Sequence, residues 1–221
     1  MMYIHHHLGL GDHIICNGLV RYLTRFETDV TIAVKKHNAA SVKAMYADTN
    51  FKFDEVDIDQ DAAKHWDRPG TYRIGFEKCD LKNWEESFYN QYHIDYSERW
   101  DSFHCERNKE SEQRLLDSLN LPDEFAFVNT TASTGKQKID VDTALPIIEL
   151  QYLTDNMFDW TAILERATEL HTIDSSIFHL IKQARFNKRK VFYDTKNVDA
   201  TRTEHTFEDD TWQTIIIGDI I

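Results

Sequence analysis

The first eighteen residues constrain the fold more than any other part of the chain. A run rich in apolar residues and histidine, residues 3–8, leads into Gly9-Leu10-Gly11-Asp12, and a helical pattern follows. A strand that turns through glycines into a helix start brings backbone N–H groups and a carboxylate to the carboxyl edge of a sheet, where open α/β folds bind their ligands. The N-terminus therefore predicts an α/β fold that holds a small charged molecule.

The glycine turn departs from the fingerprint of a dinucleotide site. Ile14 stands where that fingerprint needs a third small residue. The next predicted strand ends in Lys35-Lys36 instead of an acid that could hold a ribose. We therefore expect no NAD site.

Strand-like and helix-like segments alternate along the first half of the chain. The predicted strands cover residues 3–8, 29–35, 52–57 and 71–76. The predicted helices cover residues 12–25, 38–47 and 60–66. Strands separated by helices of about ten residues are typical of a parallel sheet, so the pattern predicts an α/β domain.

A second alternating series follows Asn120-Leu121-Pro122, which is predicted to end a charged helix at residues 109–119. Its predicted elements are strands at 125–129, 147–150, 169–174 and 190–193 and helices at 158–168 and 176–184. Residues 203–221 fit either a last strand or a segment that returns to the first series. Two series predict two α/β lobes, residues 1–120 and 121–221, with a cleft between them that would hold a ligand.

Composition narrows the set of partners and compartments. The 221 residues carry a formal net charge of −13, which disfavours binding to a nucleic-acid backbone. No apolar stretch is long enough to span a bilayer and the N-terminus lacks the pattern of a signal peptide, so we expect a soluble, cytoplasmic protein. The three cysteines are widely separated and none forms a Cys-X-X-Cys pair, which favours reduced thiols and disfavours a structural zinc site.

Asp12 has two interpretations. As the cap of the following helix, its carboxylate would accept backbone N–H bonds, a contribution of about 1 kcal/mol. As a general base, it would face the cleft and remove a proton from an acceptor hydroxyl. The sequence leaves both interpretations open.

Two polar segments of the second series are candidate phosphate contacts. The loop at residues 129–136 offers hydroxyls, N–H groups and Lys136, with Lys138 as a substitute, and all of these groups can donate to anionic oxygens. Asp174 or Ser175 would cap the helix predicted at 176–184, whose first N–H groups can bind phosphate or sugar hydroxyls. An ordinary polar loop and an ordinary helix cap explain the same residues without a ligand.

The three consecutive histidines raise the question of a metal site. On a strand, His5 and His7 point to one face and His6 to the other, so three ligands cannot converge from this segment. We therefore expect packing and hydrogen bonding from these side chains and no metal. His7, nearest the glycine turn, is the candidate ligand contact among them.

Aromatic residues are concentrated between positions 84 and 103, where packing is the preferred interpretation. The alternative is an acceptor pocket, because sugars stack on aromatic rings and bond to amides and acids. Its lining would be Tyr89, Asn90, Gln91, Tyr92 and Arg99.

The segment from Gly9 to Arg21 resembles the opening of bacterial heptosyltransferases, glycosyltransferase family 9 of the GT-B superfamily. Leu121-Pro122 before a strand, a polar loop with a lysine, and a strand ending in Asp174-Ser175-Ser176 are similar to the family's second lobe. The family usually has glycine where Ser176 stands and a proline-glycine pair where Thr130-Thr131 stands. The resemblance implies two Rossmann-like lobes with a nucleotide-sugar in the cleft and, generally, no metal.

The resemblance also implies roles for individual residues. Asp12 would be the catalytic base, and Gly9 and Gly11 would form the ligand-binding turn. The implied contacts with the donor are Thr130, Thr131, Lys136, Asp174, Ser175 and Ser176.

The expected function is transfer of a sugar from a nucleotide-sugar to an acceptor hydroxyl with inversion, with no cofactor and no metal. One alternative is a non-catalytic nucleotide- or glycan-binding module with the same fold. Another is a structural or assembly protein that uses its acidic surface.

Overall fold

Two units with separate sets of internal contacts make up the chain, Met1–Arg107 and Asn108–Ile221. The computed structural model describes residues 1–77, 79–195, 205, 207 and 209–217. In the described part of the chain, no helix combines the length and the apolar character that crossing a bilayer requires.

The first unit contains a parallel sheet. Its strands are β1 (Met2–His5), β2 (Val30–Lys35), β3 (Lys52–Val56) and β4 (Thr71–Arg73). Its helices are α1 (Leu10–Thr24), α2 (Ala39–Met45), α3 (Asp59–Ala63), α4 (Trp84–Asn90) and α5 (Glu98–Asp101), and a 3-10 turn at Lys36–Asn38 precedes α2. The strand order is β3-β2-β1-β4, with Met2 opposite Val30 and Tyr3 opposite Thr71. Because β1 is central, all four of its residues are buried.

Helix α1 packs closely against α5, and Gly18 makes this possible. A Cβ atom at Gly18 would overlap the carbonyl oxygen of Glu98 and would lie 3.0 Å from the Cα of Arg99. The apolar side of α1, including Ile14, Ile15 and Leu19, is fully buried. The helix that begins at the glycine turn is therefore held by a buried stretch from His13 to Val20.

The second unit contains a larger parallel sheet and one short hairpin. Its strands are β5 (Ala126–Asn129), β6 (Thr131–Ala132), β7 (Gly135–Lys136), β8 (Ile147–Glu149), β9 (Glu169–Ile173), β10 (Arg189–Asp194) and β11 (Trp212–Ile216). Its helices are α6 (Lys109–Ser118), α7 (Thr161–Arg166), preceded by a 3-10 turn at Met157–Trp160, and α8 (Ser176–Ala184). The parallel sheet has the order β11-β10-β9-β5-β8, and β6 and β7 form the antiparallel hairpin.

The structure confirms the predicted mixed α/β class with parallel sheets. Strand β11, Trp212–Ile216, pairs with β10, Lys190 opposite Trp212, so this part of the tail is a last strand of the second series and not a segment that returns to the first. The predicted tail also includes residues outside the described ranges, namely 203, 204, 206, 208 and 218–221. A cleft between two lobes stays a prediction.

Helix α6 belongs to the second unit, whereas the boundary that the sequence suggested, near residue 120, placed it in the first. It packs against α7 and the 3-10 turn before it, so the contacts group it with the second unit. The predicted lobe boundary near residue 120 was drawn at the helix stop before Pro122. A helix stop in sequence carries no information about which sheet the helix packs on.

Candidate functional site

The turn between β1 and α1 is held by bonds to its backbone. The N–H of Leu8 donates to Asp59 Oδ1 at 3.1 Å, and the carbonyl of Leu8 accepts from Asn38 Nδ2 at 3.0 Å. Lys35 Nζ lies 2.7 Å from Asp59 Oδ2. Burial acts to raise the pKa of Asp59, but the bonds from Lys35 and Leu8 outweigh it and lower that pKa. The segment that leads to the glycine turn is therefore positioned by charged and amide groups of three neighbouring elements.

Asp12 lies within the first turn of α1 and not at its capping position. Gly9 is the residue before the helix, Gly11 is the second helical residue and Asp12 the third. A Cβ atom at Gly9 would lie 2.6 Å from Asp12 Oδ2, so the carboxylate occupies the space that the missing side chain leaves. Trp84 Nε1 donates to Asp12 Oδ1 at 3.3 Å. The half-buried carboxylate is thus oriented at the positive end of a helix dipole.

Partly exposed aromatic rings lie next to Asp12. The ring centroid of His7 lies 5.0 Å from that of Trp84 and 4.5 Å from that of Phe76. The Nε2 of His7 lies 3.0 Å from the carbonyl oxygen of Gly75 and donates to it. His7, Phe76 and Trp84 each keep part of their surface exposed. The surface beside the carboxylate is therefore aromatic and accessible.

Two of the residues suggested as the lining of an acceptor pocket, Tyr89 and Arg99, are buried and do not line one. Tyr89 is fully buried, and its hydroxyl donates to the carbonyl of Ile15 at 2.7 Å. Arg99 is also fully buried and bonds to Glu85 and to the hydroxyl of Tyr96. These side chains fasten α4 and α5 to α1, so packing, the preferred interpretation, is the one that the structure supports.

The histidine run divides between two surroundings, as strand alternation predicts. Trp66 Nε1 donates to His5 Nδ1 at 2.5 Å, and His5 and His7 both contact Phe76. His6 instead packs edge-on against His13. Burial lowers the pKa of both His5 and His6 to about 4, so both rings are neutral at pH 7. Among the described residues, no group of three or more His, Cys, Asp or Glu side chains is arranged to hold a metal ion.

In the second unit, Asn129 connects two neighbouring strand ends. Its Nδ2 donates to Ser175 Oγ at 2.8 Å, and its Oδ1 accepts from the N–H of Thr131 at 3.1 Å. Ser175 is the residue before α8, and its hydroxyl accepts from the N–H of Phe178 at 3.4 Å. The structure therefore brings the loop after β5 next to the start of α8. The predicted polar loop at residues 129–136 includes Asn129, but the sequence assigns no role to its amide, whose only signal is its place at the end of a buried strand.

Asp174 follows β9 and is flanked by two imidazoles. Its Oδ1 lies 3.6 Å from His179 Nε2, and its Oδ2 lies 3.7 Å from His205 Nε2. Burial acts to raise the pKa of Asp174, but the two imidazoles outweigh it and hold that pKa well below its usual value. Asp174 is therefore an anion near neutral pH and is suited to accept bonds from hydroxyls.

The polar loop after β5 is a hairpin with its lysine at the surface. Lys136 Nζ bonds to Glu149 Oε2 at 2.8 Å, and both side chains are about half exposed or more. Thr130 is buried, and its carbonyl accepts a hydrogen bond from the N–H of Gln137. Thr131 and Ser176 are half-buried, whereas Lys138 is exposed. An exposed ion pair contributes about 0–1 kcal/mol, so an incoming anion can displace Glu149 from Lys136 at little cost.

No protein family and no curated protein sequence matches this chain. Among solved structures, it is similar to the bacterial iron-containing dodecameric glycosyltransferase TibC from enterotoxigenic E. coli H10407, with a TM-score of 0.53 and 11% sequence identity. The match covers 96% of this chain and 61% of that chain, so this chain spans less than two thirds of TibC. At this identity the comparison shows a shared fold, one that a glycosyltransferase has.

Proposed function

We propose that this protein is a glycosyltransferase that moves a sugar from a nucleotide-sugar donor to an acceptor hydroxyl with inversion. The observation that carries the proposal is the fold shared with a glycosyltransferase over 96% of the chain. Two local arrangements support the proposal. In the first unit, the Asp12 carboxylate lies beside accessible aromatic rings. In the second unit, two polar strand ends are joined by the bond from Asn129 to Ser175.

Asp12 is the proposed general base. The bond from Trp84 Nε1 fixes one carboxylate oxygen, which reduces the orientational freedom of the group before reaction. Partial exposure leaves Asp12 accessible to an acceptor hydroxyl. The rings of His7, Phe76 and Trp84 offer apolar surface to the carbon face of a sugar. Gly9 leaves the space that the Asp12 carboxylate fills, and Gly11 adds no side chain to the turn beside it.

The second unit is the proposed donor side. The N–H groups of Ser175 and Ser176 at the start of α8, the hydroxyls of Thr130 and Thr131, and Lys136 are the proposed diphosphate contacts. Donors aimed at the leaving diphosphate stabilise the negative charge that develops on it.

Asp174 is better suited to sugar or ribose hydroxyls than to phosphate, because its anionic oxygens repel phosphate and accept from O–H groups. In this proposal, N–H groups, hydroxyls and Lys136 neutralise the negative charge of the donor's diphosphate, and no metal or cofactor takes part.

The first test of the proposal is donor binding. We would titrate the protein by calorimetry with nucleoside diphosphates and their sugar conjugates, with and without EDTA, and then measure release of free diphosphate. We expect one nucleotide to bind in a chelator-independent way and its sugar conjugate to be turned over. Binding without turnover would favour the non-catalytic module, and failure of every nucleotide to bind would refute both.

A variant that introduces a negative charge tests the location of the donor site. Asn129→Asp places a carboxylate beside Ser175 and the start of α8, and we expect at least a tenfold loss of diphosphate affinity. Asn108→Asp is the matched control, because Asn108 caps α6 through its side-chain oxygen and an aspartate caps equally well. Equal affinities of the two variants would remove the strand-end pair from the donor site.

A further inference from the structure

Two buried histidine rings contact each other where the first turn of α1 meets the segment after β1. His6 and His13 are fully buried, and their ring centroids are 4.2 Å apart at an interplanar angle of 77°. His6 Nδ1 donates to the carbonyl of His7 at 2.6 Å. The other ring nitrogen of His6 and both ring nitrogens of His13 have no hydrogen-bond partner among the described residues. Such orphaned buried groups are rare in folded proteins and point to a special role.

Buried histidines in the second unit have carboxylate or phenol partners instead. His171 Nε2 lies 3.0 Å from Glu169 Oε2, and its Nδ1 lies 2.9 Å from the hydroxyl of Tyr193. His179 and His205 both face Asp174. An added proton on the histidines of the second unit therefore lies beside a carboxylate, whereas an added proton on His6 or His13 finds no hydrogen-bond acceptor among the described residues.

The charged groups around the pair cannot compensate a proton there. Lys35, at the end of β2, repels an imidazolium on His13, and the histidines on either side of His6 disfavour a second charge. Asp59, the first residue of α3, is the acid whose charge acts on His6, and it is bonded to Lys35 and to the N–H of Leu8. Asp12, next to His13 on α1, has its Oδ1 bonded to Trp84. A protonated ring here would be a buried, uncompensated charge.

We propose that His6 and His13 form an acid-sensitive latch whose protonation releases the start of α1, including Gly9–Asp12, while the second unit stays folded. The first turn of a helix opens more easily than its interior, so release of this turn is the least costly way to hydrate the two rings. This inference concerns folding of the first unit alone and does not depend on the proposed enzymatic function.

The size of the effect follows from proton linkage. In the closed state burial lowers the pKa of His6 to about 4 and that of His13 well below its usual value. In the open state each ring titrates near its ordinary pKa of about 6.5. The open population therefore grows about 30-fold between pH 7.5 and pH 5.0 from His6 alone, and protonation of His13 in the open state adds to this growth.

Hydrogen exchange of the full chain, followed by mass spectrometry in the presence of EDTA, tests the latch. Rates are corrected for the intrinsic pH dependence of amide exchange. We expect peptides that cover residues 9–20 to exchange at least tenfold faster at pH 5.0 than at pH 7.5, and peptides that cover β9 and α8 to keep their rates. Equal pH dependence of the two units, or none in residues 9–20, would overturn the proposal.

Variants separate the latch from a general effect of acid. His13→Leu should reduce the acid acceleration by at least tenfold, and His6→Asn provides a second test if the leucine variant does not fold. His37→Leu is the matched control, because His37 is an exposed histidine of the same unit and should leave the acceleration unchanged. An acceleration that persists in both His13→Leu and His6→Asn would show that other groups carry the response.

Discussion

The buried ion pair between Arg99 and Glu85 holds the helices that support the proposed base. Arg99 is fully buried, and its Nη1 bonds to Glu85 Oε2 and, at 2.7 Å, to the hydroxyl of Tyr96. The Tyr96 hydroxyl also donates to Glu85 at 2.7 Å. Burial disfavours the charged form of Arg99, but Glu85 and Tyr96 outweigh it and raise its pKa above the usual value. This network joins α4, where Trp84 is located, to α5, which packs on α1.

Removing one member of the pair should cost much more than removing both. Arg99→Met leaves the Glu85 carboxylate buried without its cation, and breaking a buried pair in this way costs about 3–5 kcal/mol. For a unit of this size, that corresponds to a fall of about 10–20 °C in the midpoint of thermal unfolding. The double variant Arg99→Met, Glu85→Leu removes both charges, and we expect it to lie within about 2 kcal/mol of the unsubstituted protein.

Scanning calorimetry and urea unfolding of Arg99→Met, Glu85→Leu and the double variant measure these differences. Hydrogen exchange of peptides from α1 and α5 assigns the affected transition to the first unit. Arg114→Met is the matched control, because Arg114 pairs with Glu110 on the exposed face of α6 and should cost less than about 1 kcal/mol. Single-variant costs below 1 kcal/mol, or costs that simply add in the double variant, would refute the reasoning.

Two further substitutions test backbone packing and the second strand end. Gly18→Ala should destabilise the first unit by about 1–3 kcal/mol in urea unfolding despite the better helix propensity of alanine, because its Cβ overlaps the carbonyl of Glu98; a stabilised variant would contradict this packing. Ser175→Ala removes both the cap of α8 and the partner of Asn129, so we expect a loss of about 1–2 kcal/mol in the second unit. Ser133→Ala, in the exposed hairpin, should change stability by less than about 0.5 kcal/mol, and similar values for the two serine variants would argue against the capping role.

The sequence predicted the elements whose periodicity is strong. Helix α8 was predicted at residues 176–184 and occupies those residues, because an apolar pattern, a serine cap and a polar end agree there. The strand predicted at 71–76 ends at Arg73, since Gly75 has a positive φ of 82° and leaves the extended conformation. The local sequence pattern therefore predicts where helices and strands occur better than it predicts the residues at which they end.

The sequence pattern could not predict tertiary contacts between side chains. Nothing local indicates that Asn129 bonds to Ser175, that Trp84 orients Asp12, or that His6 meets His13. Each of these pairs forms only after strands and helices have assembled, so a pattern read within a few residues cannot contain it. The resemblance to glycosyltransferase family 9 named candidate residues, and their roles remain proposals.

Lys136 shows the same limit for surface electrostatics. The sequence suggested a phosphate contact because a lysine follows hydroxyls and a glycine. In the structure its amine bonds to Glu149, thirteen positions along the chain, on β8 of the larger sheet, whereas Lys136 is on β7 of the hairpin. Charge pairing between the hairpin and the larger sheet depends on how they pack, which the alternating pattern alone did not determine.

The most direct test of the central claim is single-turnover hydrolysis or transfer by Asp12→Asn. The donor found by titration would be mixed with excess enzyme, and the rate of diphosphate release would be compared with that of the unsubstituted protein and of Asp57→Asn, an exposed carboxylate of the same unit. Loss of a general base predicts a rate lower by at least a hundredfold with unchanged donor affinity, and an unchanged rate for the control. An Asp12→Asn protein that turns over the donor at the full rate would contradict the account.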